Sequence, residues 1–169
     1  IVPCLPPAID GVGDYASKLA LRIHQDFNVT TKFIVGDPAW QGKATATVNS
    51  YCSEAISHRS AESLFKLLEN SLLVILHYVP HGYASKACPF WLIQGLERWR
   101  NLFPRAKLIT MFHELYAFNW RKPWSSDFYL SPFQKKIAAR IVQLSNICIT
   151  STERYCQAIS RFSKGKHKQ

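Results

Sequence analysis

The sequence predicts an α/β fold: a Rossmann-like three-layer domain built on a mostly parallel sheet. Two observations carry that expectation. Short apolar runs rich in branched residues alternate with stretches of helical periodicity, which is the rhythm of successive βαβ units. The length of 169 residues, with 47% hydrophobic content, suits one domain with a sizeable core. Residues 1–163 are assigned to that domain, and the basic end 164–169 to a tail or the start of a linker.

Taken in order, Ile1–Cys4 reads as the end of a strand whose beginning is missing, so the chain is expected to be a fragment. Asp14–Phe27 is a helix with Tyr15, Leu19 and Ile23 on one face, and Thr31–Val35 is the next strand. Gly36–His58 is aperiodic and reads as a long connection that can hold a short strand. Ser60–Glu69 is a crossover helix with Leu64, Leu67 and Leu68 inward, leading to the strand Leu72–Tyr78. Cys88-Pro89 starts a helix with proline in its first turn, and Trp91, Leu92, Gly95, Leu96 and Trp99 share one side. The strand Lys107–His113 follows. Ser131-Pro132 repeats the start signal ahead of Ile137, Ile141 and Leu144, and Asn146–Thr150 is the last strand. A final helix should begin near Ser151, with Glu153 completing a capping box with Thr150.

Lys and Arg outnumber Asp and Glu by 21 to 11, a net charge of +10 that favours anionic partners such as sugar nucleotides or phospholipid headgroups. The charges are scattered rather than striped, so most read as solvated surface and nucleic acid is a disfavoured partner. No apolar run approaches a spanning length, and no signal peptide opens the chain. The five cysteines lack C-x-x-C spacing and suit a reduced compartment. The expected location is cytoplasmic, with peripheral contact at the inner face of a membrane as the alternative.

In an open parallel sheet, the loops leaving the carboxyl ends of the strands line the ligand crevice. Three of these carry unusual residues. The first, Pro6 to Tyr15, contains Gly11-Val12-Gly13-Asp14 at a helix start, where free amides attract phosphate. Gly11 to Ala16 formally fits the dinucleotide pattern, and Asp37 follows at about the expected interval of 20 residues. Six residues, Leu5 to Asp10, separate the strand from Gly11, and Asp14 would repel a pyrophosphate, so that match weakens. The bland alternative is a simple turn. The second loop, His77-Tyr78-Val79-Pro80-His81-Gly82-Tyr83, could bind a polyol, or hold His77 as a buried strand-end residue and His81 in solvent.

The third loop begins at His113-Glu114, where the apolar strand Leu108–Phe112 ends. A histidine held there can exchange a proton or bond a sugar hydroxyl, and the carboxylate beside it can orient a ring. Beyond it, Phe118, Trp120, Trp124, Phe128 and Tyr129 interleave with Arg121, Lys122 and Asp127, as either an interaction platform or a satellite hydrophobic cluster. Histidine spacing suits no metal, and Asp-x-Asp, G-x-S-x-G and P-loop motifs are missing, so no metal is expected.

A Pro-Pro then Gly-Val-Gly-Asp-Tyr-Ala loop, His-Tyr at a central strand end and His-Glu-Leu-Tyr-Ala at the next together resemble the amino-terminal domain of GT-B-fold glycosyltransferases. The likeness is to the large retaining group that includes glycogen and sucrose-phosphate synthases, and it covers nearly the whole chain in element order. It implies one half of a GT-B architecture, with His113 and Glu114 as catalytic candidates near the transferring sugar. It also implies Gly11, Val12, Gly13 and Asp14 as the donor or phosphate loop, and His77, Tyr78 and Tyr83 on the acceptor side. A nucleotide sugar would be the substrate, with no cofactor. A sugar or lipid-linked carbohydrate would be the acceptor, and a carboxyl-terminal nucleotide-sugar-binding domain the missing partner. The isolated chain is then expected to turn over little. Two other readings stand beside it: an NAD(P)-binding oxidoreductase domain using Gly11, Gly13 and Asp37, and a basic module contacting membrane or nucleic acid through Arg121, Lys122 and Lys164 to Lys168.

Overall fold

The computed structural model of the chain describes residues 1–42, 51–116 and 126–163. The expectations for Phe118, Trp120, Arg121, Lys122, Trp124 and the basic tail lie outside the described residues, as do the side chains of Asp127 and Phe128.

The branched apolar runs become strands β1 (Thr31–Val35), β2 (Tyr51–Ala55), β3 (Leu73–Tyr78), β4 (Lys107–Phe112) and β5 (Ile147–Thr150). All pairings are parallel: β1 with β2, β3 with β4, and β4 with β5. The first two residues of the chain join these two groups. Ile1 N donates to Ile75 O at 2.6 Å and Ile1 O accepts from His77 N at 3.0 Å, while Val2 N donates to Ile34 O at 3.0 Å and Gly36 N to Val2 O at 2.8 Å. Val2 bridges Val35 in parallel. The spatial order is therefore β2, β1, Ile1–Val2, β3, β4, β5, and the direction of progression reverses beside Ile1–Val2. Of the predicted strand Ile1–Cys4 only Ile1 and Val2 join the ladder; Pro3 has no N–H to offer it.

Helices cover this sheet on both sides, giving the three-layer Rossmann-like α/β domain. Val2, Phe33 and Val35 pack with Ala16 and Ala20 of α1 (Gly11–Phe27) on one face. Ile1, Ile34, Leu76, Leu108 and Phe112 point to the other, where they meet α2 (Ala61–Leu68) and α4 (Phe90–Leu102), with the short α3 (Pro80–Tyr83) between those two in sequence. α5 (Ser126–Leu144) and α6 (Glu153–Ser163) extend that layer with Ile137, Ile141 and Ile159. Alternation along each strand explains the division, since neighbouring side chains leave opposite faces. Among the described residues no helix is long and apolar enough to cross a membrane.

Several elements differ from the sequence expectation, each for a local reason. α1 starts at Gly11, because Asp10 caps it, and its buried stripe is Gly13, Ala16 and Ala20 instead of Tyr15, Leu19 and Ile23. Gly13 lets the start of this helix lie against the backbone of Cys4 and Leu5, while Leu19 and Ile23 line a pocket of about 300 Å³ between the helix and β1 and β3. It ends at Asn28, whose left-handed φ of 52° returns its N–H to His24 O at 2.8 Å. α2 buries Phe65 with Leu64 and Leu68, while Leu67 is only partly covered. α5 begins at Ser126 and carries Pro132 inside it, and the Ser131 hydroxyl caps nothing. α6 is capped by Thr152, whose Oγ1 accepts from Tyr155 N at 3.3 Å, not by Thr150.

Within the core, α2 and α4 pack directly against each other. A Cβ on Gly95 would come within 2.8 Å of Leu64 Cδ2, so glycine sets how closely the two helices approach. Trp99 is fully buried beside them, and its Nε1 donates to Ser71 O at 3.1 Å. Trp99→Ala should cost about 3–5 kcal/mol by cavity formation and loss of buried area. Leu102→Ala, on the same helix but 60% exposed, should cost under about 0.5 kcal/mol. Urea denaturation of the two variants against the parent chain measures both.

Candidate functional site

The carboxyl ends of β4 and β5 and the start of α1 enclose an open cleft of about 750 Å³. Its wall includes Asp10, Tyr15, Met111, His113, Glu114 and Thr150. This is where an open parallel sheet places ligands, outside the strand ends and beside the reversal of strand order. The long approach loop Pro3–Ile9 leads to Asp10 on the cleft wall. Trp40 Nε1 holds it by donating to Leu5 O at 2.8 Å, and Ala8 N closes a turn onto the same carbonyl at 3.1 Å.

The predicted donor loop, Gly11 to Asp14, is the first turn of α1, and its anion site is already filled. The Asp10 carboxylate accepts from Val12 N and from Gly13 N, each at 3.2 Å, satisfying amides that a phosphate would otherwise take. Gly13 is glycine for a packing reason: a Cβ there would lie 2.5 Å from Cys4 O. Gly11 has nothing within 4 Å of its Cβ position and lines the cleft with Val12. Asp14 is exposed and lies outside the cleft wall.

His77 and His113 come together. Parallel pairing of β3 with β4 sets their strand ends side by side, and His77 Nδ1 lies 3.2 Å from His113 Nε2 with the ring planes only 17° apart. Tyr15 stands edge-on to both, with centroids 6.0 Å from His77 and 5.6 Å from His113. Tyr78 O accepts from His113 N at 3.1 Å, which prolongs the ladder and fixes the backbone at the site. Burial lowers the pKa of His77 to about 3, and the neighbouring His113 adds to that shift. His113 is also lowered by burial, while Asp10 and Glu114 pull it back up. Both rings are therefore neutral at pH 7.

Other expected site residues lie elsewhere. Tyr78 and Tyr83 are fully buried core side chains and do not face the cleft. Tyr83 donates its hydroxyl to His77 O at 2.8 Å, and the Tyr78 hydroxyl is buried without a partner. His81 is exposed, and Glu114 is an exposed carboxylate on the cleft wall. Asp37 accepts from Ala39 N at 3.1 Å and lies 3.8 Å from Arg59, so it is engaged by its own loop. Sequence reasoning missed Tyr15 as the cover of both histidines, and Ile149, Thr150 and Ser151 as cleft residues. The latter leave the carboxyl end of β5, where the rule that selected the other loops applies equally.

Among the described residues no three His, Cys, Asp or Glu side chains gather in a way that could hold a metal ion. No family model, curated protein or solved structure matches the chain.

Two outcomes follow from this geometry. Between the ordinary histidine value of 6.5 and about 3, the unfolded chain binds a proton at His77 that the folded chain refuses. That contribution is present in full above pH 6.5 and is lost as pH falls toward 3, with a slope of up to about 1.4 kcal/mol per pH unit. His77→Asn should flatten stability against pH in that window, and equal slopes in the two proteins would refute the assignment. Gly13→Ala should cost about 1–3 kcal/mol through overpacking, whereas Gly11→Ala should be neutral or stabilising by up to about 1 kcal/mol. Thermal unfolding of the pair checks this.

Proposed function

We propose that this domain is the acceptor-side half of a GT-B-like glycosyltransferase, moving a sugar from a nucleotide-sugar donor to an acceptor. The observation that supports this best is the neutral His113 at the end of β4, backed by His77 and facing the cleft beside Glu114. A neutral imidazole, a carboxylate and the partly exposed Tyr15 ring together offer what a polyol needs: hydrogen-bond partners of both kinds and an apolar face. In this reading His113 contacts the transferring sugar or the acceptor hydroxyl, and Glu114 orients it. The cleft contacts the donor directly and a second domain completes the hold on its nucleotide, so the chain alone binds a sugar nucleotide but turns over little, without metal or cofactor. A carbohydrate or lipid-linked acceptor reaches the cleft from solvent or a membrane surface in the cytoplasm.

The nicotinamide alternative fares worse, because the helix-start amides that would hold a pyrophosphate carry the Asp10 carboxylate. The discriminating experiment titrates UDP-glucose, GDP-mannose and NAD against the chain, reading the melting temperature and the imidazole resonances of His113. Sugar nucleotides should move the His113 signals and, at a hundredfold excess over Kd, stabilise the fold by about 2.7 kcal/mol. His113→Ala should remove most of that gain. Stabilisation by NAD alone, or no response to either sugar nucleotide, would sink the proposal.

A further inference from the structure

Two neutral imidazoles can face each other at hydrogen-bonding distance only if one donates. His77 Nδ1 and His113 Nε2, 3.2 Å apart, must therefore carry one proton between them. If His77 Nδ1–H donates, both rings hold their proton on Nδ1. If His113 Nε2–H donates, both hold it on Nε2, the tautomer that neutral imidazole side chains intrinsically prefer.

The second arrangement also survives protonation of His113, since an imidazolium still donates from Nε2. In the first, the incoming proton would be driven against His77 Nδ1–H. The surroundings favour the same polarity. His77 is 4% exposed, and burial makes it resist becoming a cation. His113 stands on the cleft wall under the fields of Asp10, the α1 cap, and of Glu114, its chain neighbour, both of which favour its charged form. Tyr15 of α1 covers both rings edge-on.

We propose that His77 is a positioning residue: from the end of β3 it accepts the Nε2–H of His113, leaving His113 Nδ1 as a lone-pair acceptor for a hydroxyl in the cleft. The ligand group recognised at His113 is then a hydrogen-bond donor, not a phosphate or carbonyl oxygen. That the ligand is a sugar hydroxyl rests on the functional reading above; the tautomer does not.

The test uses the full chain labelled with ¹⁵N-histidine at pH 7, with long-range ¹⁵N–¹H correlations reporting the protonated nitrogen of each ring. His113 should carry its proton on Nε2. His77→Asn, whose amide oxygen can still accept, should preserve that tautomer. His77→Phe should give a mixture, and loss of the acceptor should raise the acidity constant of His113 about tenfold, the worth of one hydrogen bond. A proton on Nδ1 of His113 in the parent chain overturns the assignment without recourse to any variant. So does a folded His77→Phe protein with unchanged tautomer and acidity. If the tautomer is as assigned but sugar nucleotides leave His113 unmoved, the glycosyltransferase reading fails and the positioning role stands.

Discussion

The sheet depends on the seat of Ile1 and Val2 between β1 and β3. Hydrogen bonds at 2.6–3.0 Å tie these residues to Ile75, His77, Ile34 and Gly36, and without them the two-stranded and three-stranded groups share no ladder. Tyr83 reinforces the joint by donating to Ile1 O at 3.3 Å and His77 O at 2.8 Å, so a core tyrosine at the end of α3 clamps both strands. Because strand progression reverses at this seat, the loop after Val2 and the loops after β3 and β4 diverge, and the cleft opens between them.

The chemistry of the cleft follows from what is buried behind it. A histidine in bulk water divides its population between charged and neutral forms near pH 7, whereas here the low-dielectric setting at the strand ends keeps both rings neutral. Neutrality makes a nearly coplanar, hydrogen-bonded pair possible; two imidazolium rings could not sit at that distance. The Asp10 carboxylate plays two parts. It terminates α1 by satisfying two amides, and it places negative charge near His113.

Much of this was legible beforehand. The strands Thr31–Val35, Leu73–Tyr78, Lys107–Phe112 and Ile147–Thr150 were readable to within a residue because their branched, apolar runs have no helical period, whereas β2 fell inside the stretch read as a long connection. The crevice histidines were also readable, since a titratable residue ending an apolar strand stands out. Helical periodicity groups Tyr15 with Leu19 and Ile23 on one face, yet the buried stripe is Gly13, Ala16 and Ala20, where glycine sits too close to the Cys4 backbone for any Cβ. Tyr78 and Tyr83 were read as polyol contacts, yet a hydroxyl says nothing of whether its ring points into the core or the cleft.

The sequence by itself therefore determined the fold class, the order of the main strands and crossover helices and the strand ends that matter, because these follow from periodicity and local capping chemistry. Only the tertiary structure decided that Asp10 occupies the helix-start amides, that Tyr78 and Tyr83 are interior, and that His77 meets His113. The last of these depends on register: residues 36 apart in sequence become neighbours only when β3 and β4 align Tyr78 with Phe112. Pairing between strands is a long-range property, and no local pattern encodes it.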